Sequence, residues 1–398
     1  MRDCCIINGS AYVNHRFEET TVQIREGKLY LRPSGEEIPP GMTVYDGSGC
    51  RVVPGFIDIH THGAAGVDVN AASAEDLARI GRFMASKGTT AWLCSVLTDT
   101  REQTEWCIDQ ATACMSRQEE EKKESGLKGA ALLGIHLEGP FLASEYKGAM
   151  PEYLLQKGNL GLLREYQKRA QGRVRYITVS PEVEGVLGLI PEMKELGMAV
   201  AMGHSGAEYD TAMEAVRQGV TAATHTMNAM KPLHQHFPGV LGAALESDVY
   251  CEMICDGRHL HPGIVRLLLK IKGTDRTIAV TDSIMAAGLS DGRYRLGVNE
   301  VIVEKGDAKL ADTGTRAGST LTMDKALQNL ISFTGRPVEE VLPLLTENPA
   351  RLLGLHHRKG FLRDGADADL VLLNVQNEIQ DVFLEGSILQ PAEEHPVG

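Results

Sequence analysis

Residues 55–96 read GFIDIHTHGAAGVDVNAASAEDLARIGRFMASKGTTAWLCSV. An apolar run, GFIDIH (55–60), leads to SAEDLARIGRFMASKG (73–88), where Leu77, Ile80 and Phe83 recur at helical spacing and mark a core-facing stripe. A second apolar run, TTAWLCSV (89–96), follows at once. A β-like run, an amphipathic helix and another β-like run predict a parallel strand–helix–strand unit. The pattern recurs in ALLGIHLEG (131–139), VRYITVSPE (174–182), MAVAMGH (198–204), TAATH (221–225), YCEMICDG (250–257) and TIAVTD (277–282). Helical segments such as VLGLIPEMKELG (186–197) and YDTAMEAVRQG (209–219) lie between them. Eight such runs predict an α/β fold, a closed (β/α)8 barrel of the TIM type.

The two ends of the chain have a different texture. CCIINGSAYV (4–13), TVQIREGKLYL (21–31) and MTVYDGSGCRVV (42–53) are β-rich and broken by Asn-Gly, Glu-Gly and Asp-Gly turns, and KGFLRDGADADLVLLNVQNEIQDVFLEG (359–386) reads the same way. The expected organisation is a small β-sandwich built from residues 1–53 and 357–398, with the catalytic barrel at 54–356. The EEEKKES segment (119–125) reads as a solvated surface stretch.

A net charge of −13 argues against a nucleic-acid surface or an anionic membrane surface. No apolar run is long enough to span a bilayer, and the N-terminus lacks the apolar core of a secretory signal. The eight cysteines, at 4, 5, 50, 94, 107, 114, 251 and 255, include no paired Cys-x-x-Cys motifs. Free thiols in a reducing cytoplasm are the simplest reading.

The polar residues that carry chemistry sit where the apolar runs end. His60 closes the first run and His62 follows two residues later. His136 and Glu138 close the third, His204 the fifth, His225 the sixth and Asp282 the eighth. In a (β/α)8 barrel all strands open at their C-terminal ends on one face, so these positions converge. The side-chain period of two along a strand points His60 and His62 the same way and makes them a two-nitrogen clamp. Glu138 can bridge two metals, His204 and His225 can hold the second, and Asp282 can ligate the first and also carry a proton. Imidazole nitrogen with carboxylate oxygen suits zinc first, with iron or manganese as alternatives, at one or two divalent ions per subunit. A lone histidine at a strand end is more often structural, but four histidines and two carboxylates at the ends of five strands read as a metal site. His136 reads equally as site lining or packing, and His15, His356, His357 and His395 as surface residues outside the barrel.

PGFIDIHTHG (54–63), HLEGPF (136–141), GHSGA (203–207), THTMNAM (224–230), DGRH (256–259), VTDS (280–283) and GSTLTMD (318–324) occur in this order. The set resembles the N-acetylglucosamine-6-phosphate deacetylases of the amidohydrolase superfamily, over nearly the whole chain to DGADADLVLLN (364–374). The resemblance implies a metal-dependent hydrolase that removes the N-acetyl group of an amino sugar, usually as a homodimer. It assigns Glu138, His204 and His225 to one metal and His60, His62 and Asp282, sharing Glu138, to the second. Asn228, Ala229 and His259 match substrate contacts, and Leu321 and Met323 match a loop that closes over the sugar. Two positions depart from the pattern. Met150 stands where a polar substrate contact is usual, and His236 where an arginine usually reaches the substrate phosphate, often from the neighbouring subunit. These departures bear on phosphate recognition rather than on hydrolysis, so a different or unphosphorylated N-acetyl amino sugar, N-acetylgalactosamine among them, is the alternative substrate. Cyclic-amide hydrolases often bridge their metals with a carboxylated lysine on the fourth strand, and the fourth run here, ending TVSPE (178–182), has no lysine. A silent sugar-binding barrel is the rival from another class, and it predicts decay of a ligand set that is intact.

Overall fold

The structure, a computed structural model, describes residues 3–124 and 126–389. The eight apolar runs form eight strands of one parallel sheet: Phe56–Asp58, Thr89–Leu97, Ala131–Glu138, Val174–Val179, Ala199–Met202, Ala222–Ala223, Tyr250–Ile254 and Thr277–Val280. Each pairs with its neighbour in chain order. The first and eighth strands meet just beyond their ends, where Asp282 N donates to His60 O at 2.8 Å and His62 N to Ser283 O at 2.8 Å. Asp58 pins this seam, because its Oδ2 accepts the hydroxyls of Thr61 (2.7 Å) and Thr281 (2.6 Å). The fold is therefore a (β/α)8 barrel. Its second strand is buried along its whole length, as strands covered on both faces must be.

The helix read from 73–88 spans Ala74–Ala85, opened by a capping box between Ser73 and Asp76. Its buried face includes Leu77, Ile80 and Met84, with Phe83 packed half-buried against the core. The EEEKKES stretch lies at the surface, as the sequence predicts, its described residues exposed or half-buried. It forms the last turns of the helix Arg101–Glu124, with Lys122 paired to the buried carboxylate of Glu385, and Ser125 lies outside the described residues.

A nine-stranded sheet contains six strands from Cys4 to Pro54 and three from Leu370 to Ile388. Both ends of the chain thus build one separate sandwich-like unit. The arm Arg51–Pro54 pairs antiparallel with Leu370–Leu373 and runs straight into the first barrel strand. Residues 390–398, and His395 with them, lie outside the described residues. Beside this sheet, buried Lys359 reaches Asp367 (3.1 Å) and Asp369 (2.5 Å), and Asp367 also holds Lys28 and Arg358. Removing one partner from a buried ion group leaves uncompensated charge. Lys359→Met is expected to cost roughly 3 kcal/mol of stability by denaturant unfolding, without changing kcat.

One element was not anticipated within 54–356. Gly292–Leu296, Asn299–Glu304 and Asp307–Leu310 form a three-stranded antiparallel sheet above the barrel mouth. Its turns are two residues each, Gly297-Val298 and Lys305-Gly306, and the second has positive φ at both positions (51° and 73°). Such turns match the twist of a hairpin. Among the described residues no helix is long and apolar enough to cross a membrane.

Candidate active site

Six side chains converge at the C-terminal mouth of the barrel. His60 Nε2 lies 3.1 Å from His62 Nε2, and His204 Nε2 lies 3.0 Å from His225 Nε2. Glu138 stands between the pairs. Its Oε1 is 3.4 Å from His60 Nε2 and 3.2 Å from both His204 and His225 Nε2, and its Oε2 is 3.2 Å from His62 Nε2. Asp282 Oδ1 is 3.2 Å from His62 Nε2 and 3.6 Å from His60 Nε2. All six residues are buried.

The backbone aims these groups at some cost. His204, His225 and Asp282 follow the ends of their strands with φ of 48°, 27° and 49°, a left-handed region that costs non-glycine residues on the order of 1–3 kcal/mol each. Gly203 precedes His204 because a Cβ there would fall 2.7 Å from Thr224 Cβ and 2.9 Å from Thr178 Cγ2. The third strand needs no such device, since Glu138 is its last residue.

Tautomers follow from the other ring nitrogens. His62 Nδ1 faces the carbonyl of Ser95 at 3.0 Å, His204 Nδ1 the carbonyl of Tyr146 at 2.9 Å and His60 Nδ1 the carboxylate of Glu252 at 3.1 Å. These oxygens only accept, so each Nδ1 carries a proton and, in the neutral ring, each Nε2 presents a lone pair. Three lone pairs and two carboxylates then face one another across about 3 Å, an arrangement that demands positive charge at its centre. Burial works against charge on His60 and His62, but Glu138 and Asp282 raise both, His62 to about 9. Burial likewise opposes ionisation of Glu138 and Asp282, yet the two imidazoles hold both below the usual carboxylate range. The donor atoms fall into two sets, His60–His62–Glu138 and Glu138–His204–His225, each tight enough for one ion. A borderline divalent cation fits such nitrogen and oxygen donors.

His136 is not at this surface. It is buried below the cluster, with Nδ1 on Ser95 Oγ (2.9 Å) and Nε2 on Thr178 Oγ1 (2.8 Å). Burial first, then the neighbouring His60, keeps it well below the ordinary histidine value, so it packs as a neutral ring. His15, His356 and His357 are exposed.

Above the cluster opens a cleft of about 620 Å³. Asn228, Ala229, His259 and Met150 line it, as do Lys147 and the segment Thr315–Gly318. His259 is held by Asp256, whose Oδ2 is 2.7 Å from Nδ1. Three of the expected substrate contacts are placed elsewhere. Leu321 and Met323 are both buried in the core, and Met323 starts the helix Met323–Thr334 and joins its inward face with Ala326, Leu327 and Leu330. The residues just before them, Ala317 and Gly318, border the cleft instead. His236 sits on the exposed loop 232–237 and does not line its own chain's cleft. Its backbone N–H donates to His234 Nδ1 at 3.2 Å, within a loop carrying exposed Leu233 and Phe237.

Sequence reasoning missed Glu252, Asp58 and Asp256. Glu252 and Asp58 left a readable signal, as single carboxylates inside the apolar runs YCEMI and GFIDI.

An amidohydrolase family model matches residues 51–389. The chain is 36% identical over 338 residues to the N-acetylglucosamine-6-phosphate deacetylase of Bacillus subtilis, covering 85% of this chain and 84% of that one. It is 33% identical over 390 residues to the enzyme of the same name from Lysinibacillus sphaericus, covering 98% and 97%. A mutant N-acetyl-D-glucosamine-6-phosphate deacetylase from Mycobacterium smegmatis, solved in complex with N-acetyl-D-glucosamine-6-phosphate, superposes with a TM-score of 0.89 at 29% identity, covering 98% of this chain and 100% of that one.

Proposed function

The chain belongs to the amidohydrolase family and, within it, to the N-acetylglucosamine-6-phosphate deacetylases, and on that premise we propose how its own residues carry out the deacetylation. The reaction is hydrolysis of the N-acetyl group of N-acetylglucosamine 6-phosphate to glucosamine 6-phosphate and acetate. The observation that carries the mechanism is the meeting of four imidazole Nε2 atoms and two carboxylates at the barrel mouth, at 3.0–3.6 Å.

His60, His62, Glu138, His204 and His225 would hold one or two divalent ions, zinc first and iron or manganese next, with Asp282 as a further ligand or as the free carboxylate beside them. When bound, such an ion acidifies water and polarises the acetyl carbonyl. Asp282 takes the proton from the attacking water as its oxygen bonds to the carbonyl carbon. As the C–N bond breaks, Asp282 returns that proton to the amide nitrogen, which leaves as the amine. One carboxylate serves both steps because an unprotonated nitrogen is a poor leaving group. His259, steadied by Asp256, and Asn228 orient the sugar, while Leu97, Met150 and Leu296 give the cleft apolar walls.

For the phosphate, Lys147 is the better candidate on this chain. Among the described residues its Nζ reaches only the Met150 carbonyl, at 3.3 Å, whereas Arg316, also at the cleft, is bound to Asp307. Lys147→Ala is expected to lower kcat/KM for the 6-phosphorylated sugar roughly 10–100-fold, as loss of a charge-assisted hydrogen bond does, and to leave the unphosphorylated sugar nearly unchanged. Equal losses on both sugars would remove Lys147 from phosphate recognition. His236 contributes only from the partner of a homodimer, so the His236→Ala effect should vanish in a monomeric variant. The eight free, buried cysteines support a reducing cytoplasm.

Amine release measured on N-acetylglucosamine, N-acetylgalactosamine and N-acetylmannosamine, each with and without 6-phosphate, tests the substrate. Chelation should abolish turnover and a divalent metal should restore it. Full activity in a metal-free preparation would refute the mechanism.

A further inference from the structure

Glu252 is a fully buried carboxylate in the middle of the seventh barrel strand, and no step above uses it. Its three partners make it more than a core residue. Oε1 accepts the hydroxyl of Tyr176 at 2.6 Å. Oε2 accepts His60 Nδ1–H at 3.1 Å and the backbone N–H of His225 at 3.0 Å. One carboxylate oxygen therefore ties together the imidazole of His60 and the main chain of His225, one residue from each candidate donor set.

We propose that Glu252 is a positioning residue that builds both halves of the metal centre, an inference that rests on the metal-dependent reading above. Toward His60 it fixes the tautomer, since a proton held on Nδ1 leaves the Nε2 lone pair facing Glu138 and Asp282. A carboxylate behind an imidazole also raises the basicity of the ligating nitrogen. Toward His225 it acts on the main chain. The residue has a φ of 27°, and among the described residues its N–H donates to Glu252 alone. That contact holds the strained turn from which His225 reaches Glu138 at 3.2 Å. His225 needs this backbone support because its own Nδ1 has no hydrogen-bond partner among the described residues. Tyr176 in turn orients Glu252 through the other oxygen.

The test is metal affinity, measured by competition with a chromophoric chelator for zinc, on wild type, Glu252→Gln, Glu252→Leu and Tyr176→Phe. Glutamine keeps the shape and one acceptor oxygen but not the charge. Glu252→Gln should bind zinc about 10-fold more weakly and Glu252→Leu about 100-fold or more, the range for loss of a group behind a metal ligand. Tyr176→Phe leaves the His60 and His225 contacts in place and should fall less than Glu252→Gln. Should the leucine variant fail to fold, the glutamine variant decides. Wild-type zinc affinity in folded Glu252→Gln overturns the proposal, as does a larger loss in Tyr176→Phe than in Glu252→Gln. A wild-type protein that binds no zinc, iron or manganese overturns the metal reading itself, which separates the two failures.

Discussion

Asp282→Asn is expected to lower kcat by at least about 10²-fold, the low end for loss of a general acid–base group. The side chain sits at the mouth of the barrel with Oδ1 3.2 Å from His62 Nε2, on the cleft side of the cluster. Burial would favour its neutral form, but His60 and His62 outweigh burial and keep it ionised, the state that can accept a proton. Asparagine has the same size and cannot shuttle a proton. The donors Glu138, His204 and His225 do not depend on residue 282, so the ion on that side should stay bound. The measurement is kcat alongside metal content per chain. A near-normal kcat with metal retained would move the proton transfer to another cleft residue, and His259 is the group placed to take it.

Glu138→Gln should have the largest effect on metal content of any single change. Glu138 is shared by both candidate donor sets, and its Oε1 alone lies within 3.4 Å of three imidazole nitrogens. An amide presents one neutral oxygen and one N–H₂, and the N–H₂ cannot ligate. The variant should lose at least about 10² in affinity on both sides, beyond what loss of a supporting group costs. Activity should fall to that of the chelated enzyme. Elemental analysis after gel filtration measures this directly. Retention of a full metal complement would mean that Glu138 is not the shared ligand.

The barrel and its six converging side chains were legible before any tertiary structure, for a physical reason. A parallel strand buried on both faces needs a continuous apolar run, so each strand announced itself locally, and a polar residue closing such a run stood out. His60, His62, Glu138, His204, His225 and Asp282 could thus be read from position alone, because the barrel topology sends every strand end to one face. The terminal β unit was legible from its turns. Four things required the tertiary structure. The small sheet over the cleft, Gly292–Leu310, is built from short alternating strands whose period says nothing about where they dock. Leu321 and Met323 are buried away from the cleft, Met323 because helix packing, which is not local, turned it inward. His236 proved to be exposed, since the course of a loop is set by what it runs across. Glu252 stood out in its apolar run, but its role stays hidden until His60, 192 positions away in sequence, is brought to 3.1 Å. Residue type and strand period are properties of neighbours in the chain. The pairing of Glu252 with His60 and His225 is a property of neighbours in space, and only the closed barrel creates it.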